Sequence, residues 1–318
     1  MEYYWQLYVP LYLQIVSFAI HPGADMDRLS AIFNRFFPSA RTFFSGSLCR
    51  QVAFDADAGV GHIHILRSGQ LQLTHDNGSS QIIEQPSVLF YPHPKTHAFA
   101  ACGESGPELL CASIDLGLPL TNPLAESLPE LLIVPLKEME GIESFIAVLF
   151  AEAFAEHCGR QLALDHLISY FLILLLRHVI DRQQHQLGLL AGLSDPKLSK
   201  ALTALHEQPH LAWNLERLAD QAGMSRARFA EHFRLVVGLT PMEYATRWRM
   251  GVTQTLLKQG YSIKQLAPKV GYQSAAALTR TFTQRMGIPP SEWLQLNQDH
   301  TRPASMDIGL GEYSKQTG

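Results

Sequence analysis

From about Phe43 to Asp115 apolar and polar residues alternate in short runs, and turn formers repeatedly break the alternation. The runs are FFSGSLCRQVAF, HIHILRSGQLQLTHDNG, QIIEQPSVLFYP, THAFAACG and ELLCASIDLG, parted at Gly69, at Asn77-Gly78 and at proline-bearing turns. Alternation with period two puts successive side chains on opposite faces, so these runs are expected to be antiparallel strands. Strands this short and this evenly spaced suggest a small barrel or sandwich. His62 and His64 sit two apart on one of them and face the same side.

The period then lengthens. From Glu138 to about Gln186, GIESFIAVLFAEAFAEHCG and QLALDHLISYFLILLLRHVIDRQQ carry apolar residues at helical spacing and part at Gly159. The second includes Ile168, Phe171, Leu172, Leu175, Leu176 and Val179, more apolar surface than packing on a barrel alone requires. A homodimer interface is the expected use, the plainer alternative being two helices that merely cap the barrel. GLLAGLSDP then has the composition of a short linker over 188–196. Residues 197–298 are helical in pattern, and 299–318 read as a tail. The opening 1–25 is aromatic and apolar, yet it carries Glu2 and Pro10 and no basic residue ahead of the apolar run. It fits neither a signal peptide nor a membrane span, and an interfacial anchor or an upstream mis-assigned start suits it better. Met26 opens an alternative start, MDRLSAIFNRFF. The expected fold class is α+β in two domains, a barrel with following helices over 26–187 and an all-α domain behind it.

Composition adds a division of labour. With 318 residues, 47% hydrophobic and 17% charged, the chain can bury a large core and fits two domains better than one. Residues 1–204 hold 12 basic against 20 acidic side chains, a balance of −8, whereas 205–300 hold 11 against 7, a balance of +4. The basic part is the one placed to meet phosphate. Cys49, Cys102, Cys111 and Cys158 form no CxxC pair, which argues against a structural zinc knuckle or a disulfide-stapled secreted domain and for a reducing, cytoplasmic setting.

Within the barrel, Pro86, Pro92, Pro94 and His97 resemble the second conserved box of the cupin barrel, with Pro86 where a glycine is usual. Counting back from Gly69, His62 falls where the first box has its metal-binding glutamate, and Asp55 and Asp57 fall where it has its His-x-His pair. Asp55, Asp57, His62, His64 and His97 are thus candidates for an effector or a divalent ion, although the usual ligand set is incomplete. The preferred expectation is a barrel that kept its shape and lost its metal, with no cofactor. Cys49, Cys102 and Cys111 would make it a redox sensor if one were an exposed thiolate, although a strand cysteine is more often core.

The basic part carries one pattern twice. In LERLADQAGMSRARFAEHF, Asn214 can cap a short helix, Ala219 allows close helix approach, Gly223 permits the turn and Ser225 can cap a second helix. SIKQLAPKVGYQSAAALTRTFTQRMG repeats it, with Ala267 and Gly271 again four apart and the two glycines separated by 48 residues. Phe229 and Phe233 lie 6 and 10 residues beyond Gly223, and Leu278 and Phe282 lie 7 and 11 beyond Gly271, so the second turn has one extra residue and its helix begins at Ser274. With those positions buried, Arg226, Ala227, Ala230, Glu231 and Arg234 face outward in the first unit, and Ala275, Ala276, Thr279, Arg280 and Thr283 in the second. Between the units, Pro241 opens a helix of about 18 residues, about 27 Å long, a spacer suited to set two recognition helices one turn of DNA apart, about 34 Å. Arg249 and Arg285 stand open between phosphate contact and a solvated face, and Trp213, Trp248 and Trp293 are expected in the core.

From Trp213 to Trp293 the chain resembles the DNA-binding domain of the AraC/XylS family of bacterial transcription regulators. LADQAGMSRARFAEHFR, GLTPMEYATRWRM and VGYQSAAALTRTFTQRMGIPPSEW carry the likeness, and the acidic, cupin-like front is similar to the sensor domain of one large branch of that family. The resemblance implies double-stranded DNA as partner, RNA polymerase as a second partner by analogy, a small-molecule effector or redox signal read by the barrel, and no membrane. It implies that Arg280 touches base or phosphate and that Ala227, Ala230 and Glu231 occupy groove-facing slots. Alanines reach at most a thymine methyl, so Arg226, Arg228, Arg234 and Arg280 are expected to supply affinity largely through phosphate. The alternative is a metal-dependent cupin enzyme with an attached DNA-binding module, which requires bound metal and turnover. A DNA-repair methyl-transfer protein would need a four-cysteine zinc site that the spacing does not supply.

Overall fold

The computed structural model describes residues 27–298 apart from 37, 57–59, 103–105, 118–122 and 183–186. The apolar opening stretch, Met26, Asp57 and the tail lie outside the described residues. A short helix α1 (Ser30–Phe36) follows a turn in which the Ser30 N–H donates to Asp27 Oδ1 at 2.9 Å. The strands are β1 (Ser39–Ser47), β2 (Val52–Phe54), β3 (Gly61–Ser68), β4 (Gln70–His75), β5 (Ser80–Ile83), β6 (Ser87–Tyr91), β7 (His97–Cys102) and β8 (Glu108–Asp115). After helix α2 (Pro123–Ser127) comes β9 (Leu132–Pro135), a four-residue strand absent from the sequence reading. It extends the sheet edge by pairing with β6.

Two antiparallel sheets face each other, one ordered β1-β8-β3-β6-β9 and the other β2-β7-β4-β5. The turns are those the sequence marks. Gly69 has φ +83°, and a Cβ there would lie 2.7 Å from the Pro107 backbone, so only glycine fits between β3 and β4. At Asn77-Gly78 the Asn77 side chain accepts the Ser79 N–H, and Gly78 adopts φ +79°.

Alternation sorts the larger sheet into two buried faces. His62, His64 and Leu66 of β3, Leu89 and Tyr91 of β6, and Leu109 and Cys111 of β8 point between the sheets. Ile63, Ile65, Val88, Phe90, Leu110, Ala112 and Ile114 point the other way, into the helices. Both sets are out of water, which is why β3 shows six consecutive buried residues.

The outer face is covered by α4 (Arg160–Asp181), which follows α3 (Ile142–Phe154). By length and composition α4 could cross a membrane, but Leu164, Ile168, Phe171, Leu172, Leu175, Leu176, Val179 and Ile180 are all buried within the chain. The apolar excess that suggested a dimer interface is therefore spent on the chain's own core. What α3 and α4 leave exposed are other residues, Val148, Phe154, Leu162 and Tyr170.

The segment expected as a linker is folded too. Helix α5 (Leu189–Ser194) buries Leu189, Leu190 and Leu193, and a Cβ on Gly192 would lie 2.7 Å from Leu202. Glycine and serine there serve close packing rather than slack. Behind it stand α6 (Leu198–Glu207), α7 (Leu215–Gln221), α8 (Arg226–Val237), α9 (Pro241–Lys258), α10 (Ile263–Lys269), α11 (Ala275–Met286) and α12 (Pro290–Gln298). One apolar core runs from the outer face of the barrel into this helical half. Helix α1 belongs to that junction: Phe36 meets Trp248 edge-on at 5.1 Å, Arg28 donates to the Leu193 carbonyl, and Arg35 donates to the Glu207 carbonyl. On α2, Glu126 pairs with Arg247 of α9 at 3.0 Å.

Candidate nucleic-acid interface and barrel site

The two repeated units fold alike. Asn214 caps α7 by accepting the Arg217 N–H at 2.9 Å, and Ser262 and Gln265 form a reciprocal capping box on α10. Ala219 and Ala267 are buried where the helices cross, and the carbonyls of the same two residues accept from Met224 N and Tyr272 N across the turn. Gly223 and Gly271 both adopt positive φ, +60° and +78°. Pro268 lies inside α10, past its first turn, so the helix forgoes one backbone hydrogen bond there.

The second helix of each unit buries the expected side: Phe229, Phe233 and Val237 on α8, Leu278 and Phe282 on α11. Ser225, Arg226, Ala227, Arg228, Glu231 and Arg234 are exposed and Ala230 half-buried. On α11, Ser274, Ala276 and Arg280 are exposed, and Ala275, Thr279 and Thr283 half-buried. Ser274 caps its helix by accepting the Ala277 N–H, whereas Ser225 stands at the N-cap position without such a bond. The side chains of Arg226, Arg228, Arg234 and Arg280 have no hydrogen bond or ion pair among the described residues. Four uncommitted cations on two exposed helix faces suit phosphate or guanine contact.

Helix α9 joins the units, started by Pro241 and a Thr240–Glu243 capping box. Its 18 residues give a length of about 27 Å. Of the two arginines left open by the sequence, Arg285 is exposed, but Arg249 is committed to the fold. Its guanidinium donates to the Pro209 carbonyl at 2.9 Å and the Leu211 carbonyl at 2.7 Å, tying the chain before α7 to α9. Trp213, Trp248 and Trp293 are core residues, 8%, 0% and 6% exposed.

In the barrel, the structure brings together three of the five candidate residues. His62, His64 and His97 each offer a ring nitrogen within 4.8 Å of the others, and all three rings are buried. Asp55 is exposed and takes no part, because the strand β2 ends before it and its side chain turns to water. His64 Nε2 lies 2.9 Å from His97 Nε2, and the Nδ1–H of His97 donates to the Lys95 carbonyl at 2.8 Å. Lys95 is itself fixed by ion pairs to Asp76 and Glu130, each at 3.2 Å. Burial pushes His62 and His97 down to about 4, and holds His64 well below the ordinary imidazole value with its two ring neighbours adding to the effect. All three are neutral at pH 7.

Sequence reasoning missed the wall of this cluster. Phe54 stacks on His97 at 4.8 Å between ring centroids and lies 4.7 Å from His64, and Tyr91 stacks on the other side of His97 at 4.0 Å. Their period-two positions on β2 and β6 were the available signal. Of the cysteines, Cys111 is buried with its thiol pushed up by burial, which removes it as a reactive thiolate. Cys49 is exposed and Cys102 half-buried, and neither is in a disulfide.

Comparison with known proteins matches both halves separately. A family described as Cupin matches residues 27–181, and one described as Helix-turn-helix domain matches 218–296. A putative AraC-like transcription regulator of Streptomyces lividans is 32% identical over 189 residues, 58% of this chain and 62% of its own length. An uncharacterized HTH-type transcriptional regulator of Haemophilus influenzae is 29% identical over 75% of this chain and 87% of its own. The HTH-type transcriptional regulator AlkR of Acinetobacter baylyi is also 29% identical, over 85% of this chain and 99% of its own.

Proposed function

We propose that this chain, which is similar to AraC-like regulators and joins a cupin domain to a paired helix-turn-helix domain, is a sequence-specific DNA-binding transcription regulator. The observation that carries the reading is the duplicated unit: two helices of the same build, each with its aromatic or aliphatic side buried and its cationic side free, held apart by one rigid 18-residue helix. Such a pair suits two successive major grooves on one face of a duplex. The relatives named above are regulators, which favours this reading over a cupin enzyme carrying a DNA-binding module.

Within this reading the barrel is the sensor, and the contacts of α1 and α2 with α9 are its route to the DNA-binding half. Phe36 against Trp248 and Glu126 against Arg247 both touch the helix that sets the spacing of the two units. A signal that moved α1 or α2 would alter that spacing directly. The exposed apolar side chains of α3 and α4, Val148, Phe154, Leu162 and Tyr170, are those a homodimer interface would draw on.

The experiment is promoter binding by the Arg280→Ala variant. Arg280 is exposed and has no hydrogen-bond or ion-pair partner among the described residues, so its loss leaves stability unchanged while removing a contact worth about 1–3 kcal/mol. Affinity falls about 5- to 150-fold with the melting temperature unaltered. Unchanged affinity removes Arg280 from the interface.

A further inference from the structure

We propose that His62, His64 and His97 together bind one divalent transition-metal ion of the zinc class inside the barrel. Three imidazoles from two different sheets converge there: His62 and His64 share the inner face of β3, and His97 opens β7 on the facing sheet. They are 3%, 0% and 2% exposed, and no carboxylate joins them among the described residues. Burying three imidazoles around one point is costly unless something there uses their lone pairs.

The hydrogen bonds account for part of the cluster and leave part of it unexplained. His97 donates Nδ1–H to the Lys95 carbonyl, so its neutral ring presents the Nε2 lone pair to the cluster. This is the outer-partner arrangement that fixes the tautomer of a metal-ligating histidine, and the salt bridges of Lys95 to Asp76 and Glu130 hold that carbonyl in place. The His64 and His97 Nε2 atoms are 2.9 Å apart, a hydrogen bond in which the His64 Nε2–H donates to His97 in the ion-free cluster. Nitrogens about a tetrahedral ion roughly 2.0–2.1 Å from each stand about 3.3 Å apart, so an ion replaces that bond with only a small parting of the rings. His62 has no hydrogen bond among the described residues, and the Tyr91 hydroxyl, buried beside the same rings, has none either. A bound ion with a coordinated water gives both of them a partner.

The donor chemistry selects the ion. Three neutral nitrogens without a carboxylate suit zinc, copper or nickel and discriminate against magnesium and calcium, which demand oxygen. The ligand set is this chain's own: His62 stands where the cupin box has a glutamate, His64 is two residues beyond it, and exposed Asp55 is excluded. A barrel that had simply lost its metal would have no need to keep three lone-pair donors within 4.8 Å.

The test uses the full chain without DNA, so its outcome is separate from that of the DNA-binding reading. After dialysis against a chelator, Co²⁺ is titrated and followed by its visible ligand-field bands, and Zn²⁺ is followed by the melting temperature. One equivalent binds, Zn²⁺ raises the melting temperature by several degrees, and His64→Gln and His97→Gln each weaken Co²⁺ binding at least 100-fold. Less than one tight equivalent in the unaltered chain overturns the site, and so does binding that survives both substitutions in folded protein. Should the variants not fold, histidine-ring nitrogen NMR of the unaltered chain decides. Zn²⁺-dependent shifts confined to three rings support the site, and shifts at surface histidines alone refute it.

Discussion

Replacing Gly271 with alanine probes the second helix-turn-helix turn, and Gly223→Ala supplies its internal control. Both glycines have positive φ, so alanine at either meets the left-handed penalty of about 1–2 kcal/mol. At Gly223 nothing lies within 4 Å of the added Cβ, and the cost stops there. At Gly271 the Cβ would lie 2.8 Å from Arg249 Nη2, 2.9 Å from the Pro209 carbonyl oxygen and 3.0 Å from that of His210. Those groups cannot simply retreat, because the Arg249 guanidinium holds the Pro209 and Leu211 carbonyls, and a charge-assisted bond is worth about 1.5–3 kcal/mol. Gly271→Ala is thus expected to cost about 3–5 kcal/mol against about 1–2 for Gly223→Ala. Urea unfolding followed by tryptophan fluorescence measures both, since Trp213, Trp248 and Trp293 are buried in this half. Equal losses from the two substitutions would refute the close approach of α9 to the second turn.

Further expectations rest on separate parts of the structure. His206 is buried, stacked on Trp248 at 3.9 Å, and pushed down to about 3 by desolvation, so it stays neutral in the fold while an unfolded histidine takes a proton near 6.5. Its contribution is present above pH 6.5 and is lost as pH falls towards 3, at about 1.4 kcal/mol per pH unit, and His206→Phe should flatten the acid side of the stability profile by that amount. Val148→Asp combined with Leu162→Asp should turn a dimer into a monomer in analytical ultracentrifugation without lowering the melting temperature, because both side chains are more than half exposed, and an unaltered sedimentation coefficient would place the interface elsewhere. Substituting Arg226 and Arg234 by alanine should each reduce the slope of log affinity against log salt by about 1, and an unchanged slope would take them off the phosphates.

The fold was legible wherever a local rule governs. The five alternating runs contain or overlap eight of the nine strands among the described residues, the Asn77-Gly78 and Gly69 turns carried their own geometry, and the repeated alanine and glycine positions marked both helix-turn-helix units. β9 escaped because a four-residue strand has too short a pattern to register. The segment 188–196 is helical and packed rather than slack because glycine and serine suit close packing as well, and only the neighbours Leu202 and Val237 decide between them. Apolar excess on α4 was visible, and of the two uses the sequence left open, a dimer interface or a cap on the barrel, these side chains take the second. At the barrel site, His62 and His64 were legible as a same-face pair, whereas Asp55 was placed by homology of spacing alone and turned out exposed. Arg249 could not be assigned from the sequence, since its partners are carbonyls about 40 residues away.

The central claim, that one chain reads two adjacent segments of duplex DNA, is tested most directly by footprinting the purified protein on a pool of genomic fragments at physiological salt with excess competitor. Two protected major-groove segments on one face, about 34 Å apart between centres, are the predicted result. Uniform, salt-sensitive protection without a preferred sequence would contradict it and leave the paired helices as binders of backbone alone.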